Sequence, residues 1–343
     1  VTMTNLAKGL DRSNRSRSDV EVTIPIMSAV GRDEVEIAPK RAAVRQQLAF
    51  YGSTPAYRGV LEHHGWGDVG DELNRLSKQG EWVAMGDLIT DEMLQEFAVI
   101  GDLESVDFVA QLDFQCDAVV HLGSIPSPVH DSDEKVFHNN VMGTYHVFAS
   151  AVENNVPLVI YASSLSIYGM AWSGPWTSPD YVPVDEKHPL HHFESYALSK
   201  EVNERSADMW ANRSETAFVG FRFPHTHTNL EFTEMAKRMR EGDKATLQQG
   251  AKIFWAYLDL RDAVQGILTV LEKGGQGSKT YNFAAPDTYA HKPTSEMMAE
   301  FHPTSEVVSP LSGYDSIIDC SEWLSEYGYQ PQYLLKREDT KNT

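Results

Sequence analysis

Basic residues are scarce: 29 Lys and Arg stand against 49 Asp and Glu, for a formal net charge of −20. A surface that neutralises phosphates needs a basic footprint, so general nucleic-acid binding is not expected. Cysteine is nearly absent. Cys116 and Cys320 cannot make a disulfide framework, and no C-x-x-C pair exists for zinc. A reducing, cytoplasmic setting is the default expectation. No apolar run approaches the ~20 residues that span a bilayer, so no membrane partner is expected. The opening VTMTNLAKGLDRSNRSRSD lacks an apolar signal core, which predicts no secretion signal, and its first residue, Val1, predicts a fragment or a missing start. Arg12, Arg15 and Arg17 are mixed with polar and acidic residues and read as a solvated end. Repeats and low-complexity tracts are also missing.

What is present is ordinary globular composition, 41% apolar and 23% charged, over 343 residues. That length predicts two domains. Residues 20–30, VEVTIPIMSAV, read as a strand, and RDEVEIAPKRAAVRQQLAFY as a helix with its acids early. Short helical pieces follow over 56–65, 70–80 and 82–101. After about residue 105 the character changes. Buried strands CDAVVHLGS, VPLVIYASS and TAFVGFRFP alternate with helices over 133–155 and 194–213. Strands alternating with helices predict a parallel α/β sheet. The mixed tail from about 229 predicts a smaller lobe capping the substrate.

HHGWGDVGDEL carries Gly65, Gly67 and Gly70 in the G-x-G-x-x-G spacing of a dinucleotide phosphate loop. Such a loop works because an apolar strand delivers the glycines to a helix N-terminus, whose free N–H groups face the pyrophosphate. Here Glu62, His63 and His64 lead in, and they are no strand end. The motif is therefore expected to be a turn between two helices, with Gly65 as a helix stop and Asp68 or Asp71 as an N-cap.

A stronger constellation lies later. SYALSK places Tyr196 and Lys200 four apart, on one face of a helix. A phenol of pKa near ~10 is a poor base, and a nearby ammonium lowers that value. Tyr196 is then suited to exchange a proton with an alcohol whose carbon exchanges hydride with a nicotinamide. Lys200 is placed to bond the nicotinamide ribose. Ser164 ends a predicted parallel strand, where α/β sheets bind ligands, and its hydroxyl can orient the substrate oxygen. His188, His191 and His192 cluster in KHPLHHFESY, and His225 and His227 in PHTHT. Their spacings match no metal motif, so no metal is expected and the histidines read as lining of the substrate cleft. GMAWSGPWTSPDY reads as a substrate-side loop.

Residues from about 106 to 335 resemble the extended short-chain dehydrogenase/reductase family, the NAD(P)-dependent epimerase/dehydratase group. The pieces that carry the resemblance are DAVVHLGS, NNVMGT, YASSLSIYG, SYALSK, FRFP and AYLDLRDAVQGIL, in family order. The resemblance implies Ser164, Tyr196 and Lys200 as the catalytic triad. It implies NAD or NADP as cofactor, held by Leu122, Gly123, Ser124, Asn140, Ala162, Tyr196, Lys200 and Pro224. It implies substrate contacts from Ser164 and His225. Two departures stand out. No strand, glycine loop and helix precede DAVVHLGS, so half of the nucleotide-binding sheet is expected to be missing and cofactor binding to be weak or absent. Trp255 stands where nucleotide-sugar members carry a phosphate-gripping Arg, and His225 where an Asn is common, which speaks against a nucleotide-sugar substrate.

Residues 1 to about 105 resemble the carboxyl-terminal part of luciferase-like flavin or deazaflavin monooxygenases. KRAAVRQQLAFYGSTPAYRGVLEHHGWGDVGDELNRLSKQG and LITDEMLQEFAVIGDLESV carry that resemblance. Only the last third of that βα barrel is implied, so no closed barrel is expected, and a join falls near 105–112. The expected architecture is α/β: a mostly helical segment over 1–105, then a partial Rossmann-like parallel sheet with a small substrate lobe over 106–343. The expected function is NAD(P)-dependent oxidoreduction or epimerisation at a secondary alcohol, with a sugar among the candidates, by Tyr/Lys/Ser hydride-transfer chemistry impaired by the missing loop. The alternatives are a flavin- or deazaflavin-dependent monooxygenase fragment and a catalytically inactive fusion remnant. The expected partner is a small-molecule substrate, and a homodimer is left open.

Overall fold

The computed structural model describes residues 8–10, 12–13, 15–16, 27–31, 33–101 and 116–335. Most of the strand expected over 20–30, and the join expected near 105–112, lie outside the described residues. The chain divides into two compact units, Val1–Asp102 and Leu103–Thr343.

In the first unit, β1 (Met27–Val30) leads into α1 (Glu34–Gly52). Asp33 caps that helix by accepting from Glu36 N at 3.0 Å, and Glu34 and Glu36 complement its positive end. Then come α2 (Arg58–His63), α3 (Gly67–Gln79), α4 (Trp82–Asp87) and α5 (Asp91–Phe97). AVIG, expected to continue the last helix, is instead β2 (Ala98–Gly101), parallel to β1. The β-branched Val99 and Ile100 favour the extended form once a neighbouring strand edge is available. Leu48, Leu61, Leu73, Met85, Met93 and Leu94 form the buried core.

The G-x-G-x-x-G stretch is a helix–turn–helix. Gly65 adopts a left-handed φ of 80° after α2, and α3 begins at Gly67. Asp68 and Asp71 lie inside α3; its N-cap is Trp66, with no side-chain cap, so the expected aspartate cap is corrected. A Cβ at Gly67 would meet only the flexible Glu62 side chain at 3.2 Å, and one at Gly70 would touch Leu61 Cδ1 at 3.1 Å. Gly67→Ala and Gly70→Ala are therefore expected to leave any nicotinamide affinity at the parent value, measured by fluorescence titration. A large loss with unchanged circular dichroism would restore the phosphate-loop reading.

The second unit is built on a four-stranded, all-parallel sheet. β3 (Val119–His121) leads through α6 (Asp133–Glu153) to β4 (Leu158–Ser164). After the two-residue β5 (Tyr181–Val182), α7 (Ser195–Ala211) leads to β6 (Ala217–Phe223). Next come β7 (His225–His227), α8 (Asn229–Arg240), α9 (Lys244–Lys252), β8 (Tyr257–Asp259) and α10 (Leu260–Lys273). β9 (Ser278–Asn282), α11 (Thr294–Phe301), β10 (Glu306–Val307) and α12 (Ser321–Tyr327) complete it. The sheet order is β3–β4–β6–β9. β4 is an unbroken apolar run because both of its faces are covered. Val159 and Tyr161 pack with Phe148, Trp210 and Phe218, while Leu158 and Ile160 pack with Phe221, Phe283 and Trp323. Alternate residues of one strand thus serve two layers. A lobe of β7–β8, β5–β10 and nearby helices has its own core around Tyr168, Phe232, Trp255, Tyr257 and Tyr289.

Among the described residues β3 pairs with β4 alone, and Val120 and Leu122 remain 40% and 53% exposed. That edge is where further strands of a nucleotide-binding sheet would continue. No helix of the described residues is long and apolar enough to cross a membrane.

Candidate active site

The site lies at the carboxyl ends of β4 and β6, where parallel sheets place ligands. Ser163 and Ser164 end β4, in register with Arg222 and Phe223 of β6. Glu194 caps α7 by accepting from Tyr196 N at 2.5 Å and Ala197 N at 2.9 Å. That cap starts the helix just before Tyr196 and sets Lys200 one turn later. Lys200 Nζ donates to Ala162 O at 2.9 Å and Ser124 Oγ at 3.2 Å, and lies 5.4 Å from the Tyr196 ring centroid. The Ser164 hydroxyl accepts from Ser166 N at 3.1 Å and favours the Tyr196 phenolate.

These groups are buried, which sets their charge. Burial pushes the Tyr196 phenol up to about 12; the Ser164 hydroxyl opposes this and the Glu194 carboxylate adds to it. Burial brings the Lys200 ammonium down to about 8, against the attraction of Glu204. The expectation that Lys200 lowers the Tyr196 pKa is thus corrected. The ammonium is spent on Ala162 O and Ser124, and desolvation of the phenolate wins. The Tyr196 hydroxyl therefore keeps its proton at neutral pH.

A cavity of about 710 Å³ opens over these residues. Of the residues expected in the site, Leu122, Ser124, Ala162, Ser164, Tyr196, Lys200, Pro224 and His225 line it. Gly123 and Asn140 do not. Asn140 is fully buried and clamps the loop after β3: its Oδ1 accepts from Ile125 N at 2.7 Å, and its Nδ2 donates to Ile125 O at 3.0 Å. It positions the wall and leaves no amide atom for a ligand. Beneath the site, Ser163 Oγ donates to Glu204 Oε1 at 2.5 Å. Arg222 grips Glu204 with both fork nitrogens, at 3.0 and 2.7 Å, and reaches Tyr168 OH at 2.9 Å. Tyr168 OH in turn donates to Asn282 Oδ1 at 2.7 Å. Burial opposes the Arg222 charge, but pairing with Glu204 outweighs it and raises its pKa.

The histidines divide. His225 and His227 line the cavity; His188, His191 and His192 do not, contrary to expectation. His188 accepts from Asp180 N at 3.0 Å and bonds Pro189 O at 2.8 Å, while His191 bonds Asp180 and His192 bonds Glu201. Their loop turns back on its own polar groups. Among the described residues no three His, Cys, Asp or Glu side chains converge as metal ligands. Trp172, from the aromatic loop singled out in the sequence, does line the cavity, whereas Trp176 stacks on His302 at 5.5 Å. No sequence pattern marks Met235, Gln249, Lys252, Ile253 and Phe254, which join the lining from α8, α9 and the turn beyond. Trp255 is fully buried in the lobe core and does not line the cavity.

A parallel sheet with a helix-borne tyrosine and lysine facing a strand-end serine defines an α/β nucleotide-type fold with a candidate proton-transfer site. The chain belongs to the NAD dependent epimerase/dehydratase family, whose model matches residues 71–284. A second model, that of the luciferase-like monooxygenases, matches residues 1–113. An uncharacterised protein of Mycobacterium bovis is 53% identical over 120 residues, covering 35% of each chain. A putative UDP-glucose 4-epimerase of Methanocaldococcus jannaschii is 30% identical over 115 residues, covering 31% of this chain and 33% of that protein. The chain thus spans about a third of the length of these two relatives. A short-chain dehydrogenase/reductase superfamily protein from Agrobacterium tumefaciens, solved with bound NAD, shares the fold. Its TM-score is 0.51 at 21% identity, over 78% of this chain and 90% of that one.

Proposed function

We propose that residues 106–343 form a domain for NAD(P)-dependent oxidoreduction or epimerisation at a secondary alcohol, and that residues 1–105 form a separate helical domain. The observation that carries the reading is the meeting of Ser164, Tyr196 and Lys200 in one cavity at the end of β4. In it, Ser164 orients the substrate oxygen, Tyr196 gives or takes the proton on that oxygen, and Lys200 holds the cofactor ribose and the end of β4. When bound, the nicotinamide supplies or accepts the hydride.

The residues fit that cofactor at one end. Lys200, Ser124, Ala162, Pro224 and Leu122 wall the space a nicotinamide and its ribose would take. For the pyrophosphate end, the described residues of Leu103–Thr343 offer no strand, glycine loop and helix before β3. NADH is therefore expected to bind with a dissociation constant in the millimolar range, about −4 kcal/mol, in a fluorescence titration. Affinity should fall as pH rises through about 8, where the Lys200 ammonium loses its proton. Micromolar binding would overturn the half-site reading. No saturable binding at all would favour a remnant that folds without a cofactor.

A further inference from the structure

The lining of the cavity is unusual in charge. In a chain of net charge −20, it includes among the described residues no Asp, no Glu and no Arg. Its only ordinary cations among the described residues are Lys200 and Lys252. Lys200 already donates to Ala162 O and Ser124 Oγ. Lys252 Nζ donates to Ser173 O at 2.6 Å. His225 is driven toward its neutral form, by burial first and His227 second. A buried diphosphate carries about two negative charges and needs several charge-assisted partners, for which forked arginines are best shaped. Two lysines already bonded elsewhere do not meet that demand.

The wall away from β4 is apolar. It is made by Trp172, Met235, Ile253 and Phe254. Phe254 is held there by a backbone that bulky side chains avoid: Phe254 and Trp255 have φ of 63° and 51°. The end of α9 enforces this turn. Phe254 N donates to Ala251 O at 3.0 Å and Trp255 N to Gly250 O at 2.8 Å. Trp255 then packs on Gly250, where a Cβ would come within 2.9 Å of its ring. Consecutive left-handed residues persist only where their surroundings over-determine them, and they gather at ligand walls. The turn sets the half-buried Ile253 and the 2% exposed Phe254 in the lining, with Phe254 packed in the lobe core behind it.

We infer that the substrate is an uncharged secondary alcohol or ketone bearing an aryl or branched alkyl group, and not a nucleoside diphosphate sugar. Its apolar group lies against Phe254, Ile253, Met235 and Trp172, and His225, Thr226 and Gln249 offer hydrogen bonds to neutral polar groups. The inference rests on the proposed function for which carbon reacts, but the preference of the wall is a binding property of its own.

Binding to the whole chain tests it with three probes. Acetophenone is followed by saturation-transfer NMR, and UDP and UDP-glucose by calorimetry. Acetophenone is expected to bind, and Phe254→Ala to weaken it at least tenfold. Met235→Ala, on a different helix, should weaken it in the same direction if the Phe254 variant fails to fold. UDP and UDP-glucose are expected to show no binding below millimolar concentration. Micromolar UDP-glucose binding that Lys252→Gln abolishes would overturn the inference, as would acetophenone binding indifferent to both wall variants. Acetophenone binding that depends on the wall, in a chain that never binds NADH, would sink the nicotinamide reading and leave this one standing.

Discussion

Tyr196→Phe is expected to remove nearly all turnover of whatever alcohol or ketone the protein transforms, while leaving the fold unchanged. The ring is 7% exposed and packs equally well without its oxygen. What goes is the hydroxyl beside Ser164, the only phenol in the cavity lining among the described residues. General acid–base catalysis of this kind contributes about a hundred- to ten-thousand-fold. Lys200→Met should do comparable damage by another route. It removes the ammonium that ties α7 to Ala162 O and that, in the proposed function, holds the cofactor ribose. Ser164→Ala should cost less, because it loses orientation and keeps the acid. If Tyr196→Phe retains more than about a tenth of parental turnover in a steady-state assay, the proton-transfer role is wrong. Tyr196 and Lys200 then revert to a packed pair on a buried helix face.

The other large effect is on stability. The Arg222 and Glu204 side chains are 8% and 11% exposed. Glu204→Ala would leave the Arg222 guanidinium buried without its carboxylate and Ser163 without its acceptor. Breaking a buried pair from one side costs about 3–5 kcal/mol, because the remaining charge is left uncompensated. The expected result is a fall of that size in the unfolding free energy of the Leu103–Thr343 unit, read from urea titration. The double variant Glu204→Leu with Arg222→Met removes both charges and should recover most of the loss. A single-variant cost below about 1 kcal/mol would mean that water reaches the pair.

Much of this site is legible without coordinates, for local reasons. β4 and β6 are short apolar runs that alternate with amphipathic helices, and Tyr196 and Lys200 share a face because four residues make about one turn. The glycine triplet is readable as a helical turn because Glu62, His63 and His64 cannot end a buried strand. What escaped are features set by distant neighbours. AVIG becomes β2 only because β1 offers it an edge. Asn140 looks free in the sequence, and the backbone it clamps at Ile125 shows only in three dimensions. The phenol pKa moves opposite to the expected direction because burial, which no spacing reveals, outweighs the nearby lysine. Met235, Lys252 and Phe254 come from elements far along the chain from Tyr196, and no pattern announces a left-handed turn at two bulky residues.

The order of the sheet also bears on how the second unit is made. Each neighbour in β3–β4–β6–β9 is parallel, so no two can pair as a hairpin, and each pairing waits for a crossover to be laid down. Ser163 meets Arg222, and Arg222 meets Asn282, across such crossovers. Non-local parallel pairing is slow because loop closure precedes any gain in contacts. As the chain is synthesised, Glu204 therefore emerges before Arg222, and Tyr168 long before Asn282. Until residue 282 is available the polar layer under the site has no complete set of partners, and β6 shows an open, apolar edge. The unit is exposed to aggregation over that interval. A chain cut before β9 would expose the same edge permanently, and such truncations should accumulate as insoluble protein and not as a smaller folded domain.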